Sequence, residues 1–167
     1  IYLMERIETT AIRNLIHNEE YCRKVLPFIK EEYFIDRLEK LIFTEIYKFV
    51  NKYNNLPTKE SLSIEMNTNK GVSEDEYKKM NEIISSLNPE PINLDWLVET
   101  TEVWCKDRAI HNAILGGIQI LDGKDKDHTP EYLPEMLSEA LSVSFDQKVG
   151  HDYLLESKER YDYYNRK

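Results

Sequence analysis

The sequence predicts an all-α protein, and three observations support this fold class. Apolar residues recur at steps of three and four along almost the whole chain, which is the spacing of one face of an α-helix. Only five glycines and six prolines occur, a scarcity that argues against a β-sandwich or a glycine-loop nucleotide fold. Residues that cap helices stand at the starts of the apolar segments. We therefore expect an N-terminal helical bundle, then a long helical hairpin, then a C-terminal linker helix.

The bundle is predicted over residues 1–91, and its first half contains three helices. Asn18 caps the second of them, and Pro27 ends or kinks that helix because its ring cannot continue the hydrogen-bond ladder. The third helix extends from about Ile35 to Tyr53. The first and third helices each have one apolar face, formed by Leu3, Ile7, Ala11, Leu15 and Ile16, and by Leu38, Leu41, Ile42, Ile46, Phe49 and Val50.

Two shorter helices complete the predicted bundle. Thr58 caps the first, which carries Leu62 and Met66. Ser73 and Glu76 have the spacing of a capping box, in which each side chain satisfies a backbone donor of the other residue. The Asn88-Pro89-Glu90-Pro91 segment then breaks the helical pattern and ends the bundle.

Residues 92–144 are predicted to form the hairpin. The longest helix begins at Asn93 or Asp95 and ends near Leu121, with Gly116-Gly117 inside it. Two glycines cost about 2 kcal/mol relative to alanines, so they indicate either a close helix crossing or a helix end. Thr129-Pro130 is a cap followed by a first-turn proline, and it opens a second helix carrying Leu133, Leu137, Ala140 and Leu141.

Residues 145–167 are predicted to be a linker and a linker helix capped by Asp152. Its apolar side is aromatic, and little chain remains to bury it. Exposed aromatic surface of this kind usually marks a docking site for a partner. We therefore expect a subunit interface formed by Tyr153, Leu154, Tyr161 and Tyr164.

Composition restricts the class of function. Acidic residues outnumber basic ones by 31 to 22, and the resulting charge of −9 argues against an isolated nucleic-acid-binding module, which would need a basic face. Cys22 and Cys105 are too few for a disulfide framework and form no zinc motif, so we expect a reducing, cytoplasmic location. No apolar run approaches the length of a membrane helix. The hairpin region, residues 93–149, holds eleven acids and five bases.

Motifs for nucleotide chemistry are weak or absent. Gly123-Lys124 is followed by Asp125 and lacks the other positions of a phosphate-binding loop, so we expect neither ATP hydrolysis nor a bound cofactor in this chain. Glu99 and Glu102 share one helix face, as a magnesium site in an all-α nucleotide pyrophosphohydrolase would require. That enzyme remains an alternative, although such a site needs further carboxylates and nothing in the spacing demands that Glu31-Glu32 supply them.

Several short segments of the bundle region resemble a known family. Glu32-Tyr33-Phe34 precedes a helix that bears Ile42-Phe43-Thr44-Glu45-Ile46. Asn55-Leu56-Pro57-Thr58 then forms a turn before the next helix. This order resembles the N-terminal domain of DnaB-type replicative helicases.

Later segments extend the resemblance to one branch of that family. Residues 96–102 (WLVETTE) and 140–146 (ALSVSFD), followed by Val149-Gly150-His151-Asp152, look like the hexameric replicative helicases of T-even-type bacteriophages. The resemblance runs, with gaps, along nearly the whole chain. Each segment is weakly specific, but their order and spacing together are unlikely to arise by chance.

The resemblance implies a helical collar domain whose hairpins pair between subunits around a hexameric ring. We expect Trp104, Ile114 and Gly117 at the hairpin interface, and the linker helix on the neighbouring subunit. The family's ATPase domain would lie beyond Lys167, where ATP and magnesium bind and where most DNA contact occurs. The collar would recruit primase and the helicase loader in the cytoplasm, without membrane contact. A free-standing helicase-loading adaptor is a further alternative.

Overall fold

A computed structural model describes residues 6–145 of the chain. Its regular elements over this range are α-helices and short 3-10 turns, which confirms the predicted all-α class. The chain divides into two compact units, Ile1–Thr101 (unit 1) and Glu102–Lys167 (unit 2). The division falls inside the long helix rather than at the proline-rich break. The predicted linker helix, with Tyr153, Leu154, Tyr161 and Tyr164, lies outside the described residues.

Unit 1 contains a helical bundle. Its helices are α1 (Ile7–His17), α2 (Glu19–Val25), α3 (Arg37–Tyr53), α4 (Lys59–Asn67) and α5 (Glu74–Ser85), with 3-10 turns at Leu26–Phe28 and Glu31–Tyr33. The long helix α6 (Leu94–Leu121) begins in unit 1 and continues into unit 2. Unit 2 also contains a 3-10 turn at Pro130–Tyr132 and α7 (Leu133–Leu141).

Local hydrogen bonds start the helices at the predicted caps. The Asn18 side chain accepts from the Tyr21 backbone N–H, and Ser73 and Glu76 form the expected capping box. Thr58 also caps α4, in a capping box with Ser61. Of the two candidates for the start of α6, Asn93 is the cap, since its Oδ1 accepts from the Trp96 N–H at 2.8 Å.

Two helix starts differ in detail from the prediction. α3 begins at Arg37 rather than Ile35 because Asp36 is its N-cap and accepts from the Glu39 N–H at 3.2 Å. In the hairpin, an α-helix cannot form from Pro130, because Pro134 lacks the N–H that would donate to the carbonyl four residues earlier. A 3-10 turn replaces that first turn, and the Leu133 N–H donates to the Pro130 carbonyl instead.

Helix α3 lies at the centre of the bundle core. It contacts α1, α4, α5 and the second 3-10 turn, and Ile42, Phe43 and Ile46 on its inner face are buried. The Phe43 ring packs on Phe34 at a centroid distance of 5.1 Å. The neighbouring elements contribute further fully buried side chains, namely Leu15, Tyr21, Tyr33, Leu62, Met66, Met80 and Ile84.

A buried hydrogen-bond chain fixes the start of α6 to the bundle of unit 1. The Tyr21 hydroxyl lies 2.7 Å from Thr101 Oγ1, and both residues are buried. The Thr101 hydroxyl in turn donates to the Leu97 carbonyl at 2.7 Å. Burying an unpaired hydroxyl is costly, so these two hydrogen bonds strongly favour one placement of the first turns of α6 against α2.

Candidate interaction surface on the helical hairpin

Helix α7 packs closely against the glycine pair of α6 within unit 2. A methyl group added to Gly117 would stand 3.1 Å from Leu133 Cδ2, and one added to Gly116 would stand 3.6 Å from Met136 Cε. The pair therefore marks a close helix crossing and not a helix end. The small residues let α7 approach, and its packing against α6 offsets the helix propensity lost at two glycines.

The other end of the hairpin is held by Glu102. Its Oε2 accepts from the Ser144 hydroxyl at 3.2 Å and from the Phe145 backbone N–H at 3.0 Å. Phe145 is buried. Because Gly117 meets Leu133 while Glu102 meets Phe145, α6 and the α7 segment run antiparallel, as a helical hairpin requires.

Glu102→Ala is expected to loosen this end of the hairpin by about 1–2 kcal/mol, because two hydrogen bonds to one carboxylate are lost. Hydrogen exchange of the Phe145 amide should become faster, and mass spectrometry of the peptide that contains it measures this. Glu99→Ala, at an exposed position of the same helix, is the matched control and should leave that exchange unchanged. Equal rates in the two variants would contradict the assigned role of Glu102.

The turn between α6 and α7 is ordered by one carboxylate. Asp125 Oδ1 accepts from the backbone N–H groups of Asp127 and His128, and Asp125 Oδ2 lies 3.0 Å from His128 Nδ1. The hydrogen bond with His128 and the backbone donor of Asp127 lower the pKa of Asp125. The His128 ring also stacks on Tyr132 at 4.4 Å. These contacts satisfy the Asp125 carboxylate within its own turn.

The outer side of α6 in unit 2 leaves large aliphatic side chains in solvent. Four of these side chains lie on one helix face, because they are spaced eleven, four and three residues apart: Val103, Ile114, Ile118 and Leu121. They are exposed by 59%, 51%, 47% and 66%, respectively. We call these four residues the α6 stripe. Exposed Asp107 lies on the same face between Val103 and Ile114, so the stripe is uninterrupted only from Ile114 to Leu121. Exposed apolar surface of this kind is typical of an interaction site.

The structure separates the three residues predicted for the hairpin interface. Ile114 lies in the α6 stripe, whereas Trp104 and Gly117 are buried within their own chain. Cys105, beside Trp104, is also buried, and burial raises the pKa of its thiol to about 12. Sequence reasoning did not select Val103, Ile118 or Leu121, although their helical spacing with Ile114 was a usable signal.

The carboxylates considered for a magnesium site are not brought together. Glu102 is engaged by Ser144 and Phe145, and Glu31 accepts from the Thr44 hydroxyl at 2.8 Å. Within residues 6–145, no group of three or more His, Cys, Asp or Glu side chains is arranged to hold a metal ion. Over the same range, no helix is long and apolar enough to cross a membrane.

Fold and surface together define a class of protein, namely helical domains whose hairpin carries an exposed apolar stripe. The chain is 32% identical over 158 residues to the DnaB-like replicative helicase of Enterobacteria phage T4. This similarity confirms the predicted resemblance to the DnaB-type replicative helicases of T-even-type phages. It covers 90% of this chain and 33% of the T4 protein, so the chain spans about one third of that relative's length. No family model matches the chain.

Proposed function

We propose that this chain is the N-terminal assembly domain of a ring-forming replicative DNA helicase. The α6 stripe is the observation that carries the proposal, because it is an apolar helix face that remains about half exposed in the described part of the chain. In this proposal the stripe packs against the stripe of a second copy. Of the three interface residues that the sequence predicted, Ile114 stays in the proposed interface. Trp104 and Gly117 are buried beneath it and have a structural role in this proposal.

The size of the stripe sets how strong such a contact can be. Burying one large aliphatic side chain contributes about 1.5–3 kcal/mol, so eight half-exposed side chains from two copies contribute on the order of 6–12 kcal/mol. Association itself costs about 4–15 kcal/mol in lost freedom of motion. The two terms are of similar size, so the stripe supports at most a weak dimer, and a larger assembly needs further contacts.

The relationship to a replicative helicase extends the proposal to the whole protein. ATP hydrolysis with magnesium would belong to a motor domain outside this chain, which would also make most of the contact with DNA. The assembly domain would recruit primase and a helicase loader, and the predicted linker helix would dock on a neighbouring subunit. We propose a cytoplasmic location, which is the cytoplasm of the host cell if the protein is phage-encoded.

Ile118→Asp is expected to weaken self-association of the chain more than tenfold, since a charge at the centre of an apolar contact must be desolvated. Sedimentation velocity over a concentration series measures the effect. Ile64→Asp is the matched control, because Ile64 is 65% exposed on α4 and lies outside the stripe. Circular dichroism checks that both variants remain helical. A wild-type chain that stays monomeric at high concentration, or equal effects of the two variants, would refute the proposal.

A further inference from the structure

We propose that copies of this chain also dock through charge, with a basic ridge on α3 of one copy seated on an acidic ridge on α7 of the next. This inference rests on the proposed function, because it presumes that copies assemble. It supplies a second contact of a different kind from the α6 stripe. A contact between two identical faces ends at a dimer, whereas a contact between two different faces continues to further copies and can close a ring.

The basic ridge consists of Lys48 and Lys52, which are exposed one turn apart on the outer face of α3. The helix has two acidic residues, Glu39 and Glu45, and both are nearly buried, at 5% and 7% exposure. The solvent-facing charges of α3 are therefore all positive, in a chain whose net charge is −9. Half-exposed Tyr47 adds an apolar surface beside the lysines.

Contacts among residues 6–145 leave these lysines largely exposed. Lys48 lies 3.3 Å from Glu45, and Lys52 lies 5.3 Å above the Tyr53 ring. The Lys48 side chain remains 63% exposed despite its ion pair. By contrast, Arg37 at the start of α3 is engaged by Glu76 at 2.9 Å. Arg37 remains 58% exposed, but two hydrogen bonds hold it to Glu76, whereas the described contacts of Lys48 are limited to one ion pair.

The acidic ridge consists of Glu135 and Glu139, exposed one turn apart on α7. The sequence from residue 127 to residue 145 contains no lysine or arginine. Among the described contacts, neither glutamate forms an ion pair. Leu137 and Leu141 expose apolar surface on the same helix.

The two ridges match in spacing and in chemistry. Four residues of α-helix rise about 6 Å, so the two lysines and the two glutamates are separated by the same distance along their helices. Tyr47 beside the lysines can cover Leu137 or Leu141 beside the glutamates. A nucleic acid could also be attracted to two lysines, but the chain itself carries a partner of matching charge and spacing, which favours a second copy.

A charge-swap experiment tests this contact. Lys48→Glu/Lys52→Glu makes both ridges negative, and Glu135→Lys/Glu139→Lys makes both positive. In sedimentation velocity, we expect the wild-type chain at low salt to form species larger than a dimer, and high salt to reduce them to the dimer. Each double variant alone should lose the larger species at least tenfold, and an equimolar mixture of the two should regain them.

Controls separate this contact from net charge, folding and the α6 stripe. Lys30→Glu/Lys70→Glu and Glu65→Lys/Glu90→Lys change the net charge equally at exposed positions elsewhere and should assemble like wild type. Circular dichroism checks helicity, and the dimer formed by the α6 stripe should persist in both ridge variants. If that dimer is present but the mixture does not regain larger species, the ridge contact is refuted while the proposed function stands. If Lys48→Glu/Lys52→Glu assembles like wild type but no longer binds a single-stranded oligonucleotide, the basic ridge is a nucleic-acid site. That result would also overturn the proposal.

Discussion

Ile46→Ala is expected to lower the free energy of unfolding of unit 1 by about 2–5 kcal/mol, the range for large-to-small substitutions in a packed core. Ile46 lies on the inner face of α3 and is completely buried. α3 contacts three other helices of the bundle, so a cavity at this position removes packing that no single neighbour can restore. Urea denaturation followed by circular dichroism measures the change.

The same chemical change at an exposed site provides the comparison. Ile64→Ala removes the same atoms from a side chain that is 65% exposed. Its effect should stay within about 0.5 kcal/mol, as for most surface substitutions. If both variants shifted the denaturation midpoint equally, α3 would not be the centre of the core.

Gly117→Leu is expected to destabilise the hairpin by about 1–3 kcal/mol, the usual cost of overpacking. The first carbon of any side chain at this position already meets Leu133 Cδ2 at 3.1 Å, and a leucine must place three more carbons there. The double variant Gly117→Leu/Leu133→Ala should recover much of this loss, because volume removed from α7 accommodates volume added to α6. Thermal unfolding of the two variants measures both effects.

The neighbouring glycine gives a prediction of opposite sign. A methyl group on Gly116 would lie at ordinary contact distance from Met136, 3.6 Å from its Cε. Gly116→Ala should therefore stabilise the protein by about 0.5–1 kcal/mol through helix propensity alone. Destabilisation by Gly116→Ala, or no recovery in the Gly117→Leu/Leu133→Ala double variant, would mean that α7 is not held against the glycine pair.

These predictions bear on assembly as well as on stability. The α6 stripe and the acidic ridge lie on the two helices of the hairpin, and close packing at Gly117 holds those helices together. A variant that loosens the crossing should therefore also weaken self-association, without changing any exposed side chain. Ile46→Ala, in the core of unit 1, would not alter either of these two hairpin surfaces directly.

The sequence predicted four helix starts at which a cap acts over three residues, but it missed the same kind of cap at Asp36. Asn18, Thr58, Ser73 and Asn93 all accept from a nearby backbone N–H, because the geometry of a cap is contained within one turn of chain. In the hairpin, the α-helix begins only after a 3-10 turn. Pro134 has no N–H to donate to the Pro130 carbonyl one turn earlier, and the Leu133 N–H donates to that carbonyl instead. That signal was also local, and it could have been used.

The sequence by itself determined that this protein is helical, that a long helix and a short one form a hairpin, and that its relatives are replicative helicases. Only the tertiary structure decided that Trp104 and Gly117 face inward while Val103 and Ile118 face solvent. Val103, Trp104 and Ile118 are all large apolar residues of α6, and residue type alone does not say which of them a neighbouring helix covers. Which side is covered depends on where α7 packs, and that depends on contacts between residues far apart in the chain.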